Sequence, residues 1–140
     1  HCDPDPGSLA LFAAELVKGN APFSFVDFTV ARKDARLRGC FAEPWEGWPK
    51  PVEQTGAILE QAGFRIGDIV DETRAFAPLI SKGWSHWKSA YDLALRSGDH
   101  RARGEYLGKL SRYAHLWAER FDAIRAGQLC VTRYHTRRKP

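Results

Sequence analysis

The densest apolar run in the chain is residues 23–30, Phe-Ser-Phe-Val-Asp-Phe-Thr-Val. Phe23 and Phe25 fall on one parity; Val26, Phe28 and Val30 fall on the other. A strand that is apolar on both faces is covered on both, which predicts a central strand of an α/β sheet. Asp27 interrupts the run near its C-terminal end. In open α/β sheets the ligand crevice lies just beyond the carboxyl ends of the strands, so Asp27 is a candidate binding residue. The competing reading is local: Asp27 caps the turn that follows, or pairs with an arginine.

Helical periodicity precedes this strand over residues 9–18. Ser8 is a fair N-cap, Leu9, Phe12, Ala13 and Leu16 form one apolar stripe, and Gly19-Asn20 supplies a left-handed stop. After Val30 the periodicity dissolves as far as Lys50. Arg32, Lys33, Arg36 and Arg38 are followed there by Phe41, Trp45 and Trp48 among Glu43 and Glu46. An aperiodic stretch of that length predicts a lid or binding loop. Aromatic rings beside carboxylates suit a cationic group, whereas tryptophans that only pin the loop to the core need no ligand.

Pro51 is suited to the first turn of a helix over residues 52–62, with Thr55, Ile58, Leu59 and Ala62 on one face and Gly63 as its stop. Residues 64–70 read as a second strand, weakened by Gly67. Two further apolar stripes follow: Phe76, Ile80, Trp84, Trp87, Tyr91 and Leu95, then Leu107, Leu110, Ala114, Trp117, Phe121 and Ile124. They predict helices over residues 76–95 and 104–126, separated at Ser97-Gly98-Asp99, with Pro78 tolerable only in a first turn. Gly127 ends the last helix, and residues 128–134 read as a third strand. The order is α, β, loop, α, β, α, α, β. It predicts a mixed α/β sheet in which the last strand pairs antiparallel with both earlier ones.

Length and composition narrow this picture. A chain of 140 residues is a single α/β unit or a piece of a larger domain. The absence of any Met, even at position 1, leads us to expect further residues upstream. No apolar stretch reaches the ~20 residues of a membrane helix. Cys2, Cys40 and Cys130 lack metal spacing and read as free thiols of a cytoplasmic protein. The net charge of +4 is concentrated where Arg133, Arg137, Arg138 and Lys139 crowd the end, which reads as a solvated basic tail. The chain has no Gly-rich phosphate loop, HExxH or CxxC. His86 and His115 read as boundary histidines of helices, and no metal set or catalytic group is identified. Asp68, Asp71 and Glu72 lie near a strand end without forming a recognisable acid/base pair.

Several of these segments together resemble a known family. Helix 9–18 with its Gly turn, the strand carrying Asp27-Phe28, the helix ending Glu60-Gln-Ala-Gly-Phe64 before a strand, and the late helices before a final strand look like the C-terminal half of a class I S-adenosylmethionine-dependent methyltransferase of small-molecule type. The resemblance implies a partial Rossmann-like sheet with helices on both faces, and methyl transfer to a small-molecule acceptor. It implies S-adenosylmethionine as cofactor of the intact enzyme, and Asp27, Trp45 and Trp48 as substrate-binding positions. The family's Gly-rich turn after strand one and the acidic end of strand two are not in this sequence. The resemblance therefore assigns cofactor binding to no residue here, and this chain alone is expected neither to bind the cofactor nor to be active. It also implies a partner along the outer edge of residues 23–30, either an N-terminal half or a second copy. A different reading is a stand-alone interaction module whose basic C-terminal end holds an acidic partner or RNA; aromatics that follow core spacing speak against it.

Overall fold

The computed structural model of the chain describes residues 6–31, 37, 41, 48–96 and 98–140. The elements are α1 (Pro6–Leu16), β1 (Pro22–Val30), α2 (Val52–Gln61), β2 (Phe64–Asp71), α3 (Thr73–Leu95), α4 (His100–Arg125) and β3 (Leu129–Arg138). The sheet order is β1-β3-β2. β3 runs antiparallel to both neighbours, with Phe25 opposite Tyr134 and Val30 opposite Leu129 on one side, and Phe64 opposite Arg138 on the other. The pairing of β3 with both earlier strands is the one expected from the chain order. β1, however, expected to be central from its apolar faces, is an edge strand of this antiparallel three-stranded sheet, and β3 is the central one. Two-sided apolarity reports covering helices and not neighbours in the sheet.

Alternation along β1 builds two cores. Phe23 and Phe25 pack with Ala10 and Ala13 of α1, Leu59 and Ala62 of α2, Phe64 and Tyr134. On the opposite face Phe28 and Val30 pack with Leu37, Ala123, Ile124 and Leu129. Helices thus cover both faces of the sheet, α1 and α2 on one and α4 on the other. The N-terminal part of the second face is an exception, because Ser24 and Val26 are exposed.

Several sequence expectations need correcting. The buried stripe of α1 is Ala10 (0% exposed) and Ala13, not Leu9, Phe12 and Leu16, which are 50%, 58% and 67% exposed. Alanines let the helix axis approach the sheet closely, and the larger side chains turn outward. α1 also begins at Pro6, ahead of Ser8, since proline is accepted where a first-turn N–H has no partner. α3 begins at Thr73, so Pro78 lies inside the helix and withholds one backbone donor from it. α4 begins at His100 instead of near 104, because Asp99 is its N-cap and accepts from the backbone N–H groups of Arg101 and Ala102.

The largest correction is at the basic end. It is not a solvated tail, since β3 continues to Arg138 and stays paired on both edges. The Arg133 guanidinium makes a two-point pair with Glu72, at 2.6 Å and 2.9 Å. That pairing, chiefly its hydrogen bonds, holds the Glu72 carboxyl below the usual carboxylate range. Arg138 turns to the other face and donates to the carbonyls of Ala14 (3.1 Å), Gly63 (2.7 Å) and Ala62 (3.5 Å). Those carbonyls lie at the C-terminal ends of α1 and α2, where a cation answers unpaired acceptors and the negative end of the helix dipole. Gly63, at φ 90°, leaves the space this guanidinium occupies: a Cβ there would stand 1.9 Å from Arg138 Nη1.

Candidate functional site

The candidate site is built on the long helices α3 and α4. Their facing stripes do not close on each other. They leave a cavity of about 360 Å³ lined chiefly by Phe76, Ile80, Trp84, Trp87, Tyr113 and Trp117. Gly83 helps to keep it open, because it lies in the wall and a Cβ there would meet no atom within 4 Å. Trp87 is held in place by stacking on Tyr91 (5.1 Å) and by donating its indole N–H to the Leu110 carbonyl at 2.9 Å. Trp84 meets Trp87 edge-on at 5.9 Å. The lining offers apolar surface and aromatic faces and almost no hydrogen-bonding groups. Such a space holds an apolar group, or a cation against a ring face.

Phe28 ties this cavity to the C-terminal half of β1. Its ring meets the lining residues Phe76 and Trp117 at 5.9 Å and 6.2 Å. Beside it the guanidinium of Arg120, a buried residue, lies 4.8 Å from the Phe41 ring and 5.0 Å from the Trp117 ring. The sequence showed both helical stripes as core. It gave no sign that they border a space; the one available signal was Gly83 amid an aromatic stripe.

The residues singled out from sequence lie around this region without converging. Asp27 shares its face of the sheet with Phe25 and Tyr134, whereas Phe28 points to the cavity side. Its Oδ1 accepts the N–H of Phe28 at 2.8 Å, so the carboxylate satisfies a backbone donor on the outer edge of its own strand. Burial pushes the Asp27 carboxyl above its ordinary value, opposed by the Phe28 hydrogen bond and the charge of Lys50. Nearby, Tyr134 donates to the Val52 carbonyl at 3.1 Å. Burial pushes its phenol up to about 12. Trp48 is 52% exposed and leans on Phe41 at 6.3 Å; Phe41 in turn meets Phe28 at 5.7 Å. Trp48 therefore stands on the cavity side of the sheet. Trp45 lies outside the described residues, as do Cys2 and Cys40, while Cys130 is a free thiol.

Among the described residues, no three His, Cys, Asp or Glu side chains come together as a metal site, and no helix is long and apolar enough to cross a membrane. A nucleoside cofactor of the kind the resemblance implies needs close backbone approach at a Gly-rich turn after a strand. β2 instead passes through Glu72 directly into α3, and β3 is the last element.

No protein-family profile and no curated protein matches the sequence. Solved structures do match in fold. A cyclopropane synthase of Mycobacterium tuberculosis superposes with a TM-score of 0.69 at 12% identity over 95% of this chain and 50% of its own. A sarcosine dimethylglycine methyltransferase of Galdieria sulphuraria gives 0.63 at 11% identity over 98% and 49%. A phosphoethanolamine N-methyltransferase of Haemonchus contortus, in complex with phosphomonomethylethanolamine and S-adenosylhomocysteine, gives 0.62 at 14% identity over 97% and 30%. The chain thus spans half or less of the length of these structures. With β3 inserted antiparallel between β1 and β2 and helices on both faces, it has the fold of the C-terminal part of the S-adenosylmethionine-dependent methyltransferases.

Proposed function

We propose that this chain is the acceptor-binding half of an S-adenosylmethionine-dependent methyltransferase acting on a small molecule, with the donor held by residues upstream of it. The observation that carries this reading is the aromatic cavity between α3 and α4, joined through Phe28 to the C-terminal end of β1. Crevices beyond strand carboxyl ends are where such sheets bind ligands. The work left to this half is to hold the acceptor, turn its nucleophile toward the donor and exclude water, which is positioning rather than acid/base chemistry. That division of labour suits a chain poor in catalytic groups. Trp48 forms the outer wall in this reading, and Asp27, on the opposite face, steadies the strand end by accepting the Phe28 N–H.

Two surfaces favour a covering half. The outward residues of α1, Leu9, Leu11, Phe12 and Leu16, are exposed and apolar, and such a patch marks a contact surface. The outer edge of β1 is bridged only at Thr29 and Lys50 among the described residues. Either an upstream half or a second copy would complete both.

The test is Gly83→Leu in the full-length protein, assayed with a set of candidate acceptors. The substitution puts a side chain into open space in the cavity and removes a helix-weakening glycine, so the fold should be kept or gain about 1 kcal/mol. The account predicts an acceptor KM raised about tenfold or more, with cofactor affinity unchanged. Unaltered acceptor kinetics in a folded Gly83→Leu protein would remove the cavity from the site.

A further inference from the structure

A second cleft lies at the other end of β1. Six residues separate Pro22 from Phe28, roughly 20 Å of strand at about 3.3 Å per residue, so this cleft is separate from the acceptor cavity. It lies on the part of the sheet face that α4 does not reach. Its volume is about 550 Å³, and its lining includes Ser24, Arg65, Gly67, Asp68, His135 and Arg137.

The register explains its charge. Pro22, Arg137 and Arg65 are opposed across the three strands in a single row. Residues paired in this way project to one face with Cβ atoms about 5 Å apart, and like charges so placed repel. Among the described residues neither arginine is in an ion pair: Arg137 donates to the Asn20 carbonyl at 3.2 Å, and Asp68, the acid of the lining, bonds to neither. The next row adds Ser24 and His135, opposite the irregularity between Ile66 and Ile69. Gly67 permits that irregularity to sit close, since a Cβ there would be 3.1 Å from the His135 carbonyl oxygen.

Two guanidiniums from opposed positions on one face, neither in an ion pair among the described residues, match the oxygens of a phosphate group better than any neutral ligand does. We propose that this cleft binds the phosphate of a small soluble phosphomonoester, with Arg65 and Arg137 on its oxygens and His135 and the Ser24 hydroxyl at its rim. The chemistry comes from the cleft itself and does not depend on the methyl-transfer reading. The concave shape, three strands wide from Arg65 to Ser24, favours a free small molecule over the flat surface of a bilayer.

The test is titration of the full chain with inorganic phosphate, followed through its backbone amide NMR signals. Saturable shifts in the millimolar range are expected at Arg65, Gly67, His135 and Arg137, with the signals of the α3–α4 cavity unmoved. Arg65→Gln, an exposed substitution, should weaken binding about tenfold. Arg65→Glu should abolish it and also raise the melting temperature in phosphate-free buffer, because an opposite charge then faces Arg137. Non-saturable shifts, shifts equal in wild type and Arg65→Glu, or capture by phosphatidylglycerol vesicles without a response to free phosphate would each overturn the proposal. A negative result here leaves the Gly83→Leu test unaffected, so the two readings fail separately.

Discussion

Arg138 shows how one side chain can join elements that sequence reading keeps apart. Its guanidinium reaches carbonyls at the ends of α1 and α2 from the last residue of β3. Bonds of this charge-assisted kind contribute about 1.5–3 kcal/mol, so Arg138→Ala should lower stability by about that amount in a denaturant melt, whereas Lys139→Ala, an exposed change, should cost well under 1 kcal/mol. The sequence disclosed the charge of Arg138 but not its partners. One signal did extend through the supposed tail: Tyr134, Thr136 and Arg138 alternate with His135 and Arg137, a strand period the density of positive charge obscured. Asp27 is a second residue-scale case. Burial raises its carboxyl in the folded chain, so the ionised form disfavours folding. Its stabilising contribution is full below the unfolded value, near 3.9, and is lost as pH rises through the higher folded value. Asp27→Asn can keep the Phe28 bond through its amide oxygen and should therefore raise the melting temperature at pH 7 but not at pH 3. Equal shifts at both pH values would contradict the burial argument.

Elements were legible in kind and order because period and turn residues agree with the fold. The Gly63 and Gly127 stops adopt positive φ, as does Asn20. What sequence could not supply was which face of an element meets another. In α1 the large apolar residues formed the more obvious stripe, yet alanines make the contact, a choice fixed by how closely the helix must approach β1 and α2. In α3 and α4 the stripes supply much of the cavity lining, but Leu95 is exposed and the buried positions of α4 are Leu116, Arg120 and Ala123. Whether two aromatic faces close or stand apart depends on their separation. β1 offers an element-scale prediction. Its even-numbered amides point to the outer edge, where Val30 donates to the Lys50 carbonyl and Phe28 to Asp27. In this chain alone, hydrogen exchange should be slow at Phe28 and Val30 and fast at Ser24 and Val26. In the full-length protein all four should be slow. Fast exchange at Ser24 and Val26 in the full-length protein would show that nothing pairs with that edge.

At the scale of the whole molecule, the chain is a three-stranded sheet with helices on both faces, carrying the cavity between α3 and α4. The family resemblance was readable from Asp27-Phe28, the helix ending at Gly63 and the late helices, because those segments set the topology that the solved structures share at 11–14% identity. The cavity was not readable, since it arises from two helices distant in sequence from the strand whose Phe28 borders it. The central claim, that this half presents an acceptor cavity to a donor held elsewhere, is tested most directly by a crystal structure of the full-length protein with S-adenosylhomocysteine. The account predicts the nucleoside on residues upstream of this chain, with its sulfur facing the cavity mouth near Phe28. A nucleoside bound by residues of this chain, or one whose sulfur faces away from the cavity between α3 and α4, would contradict it.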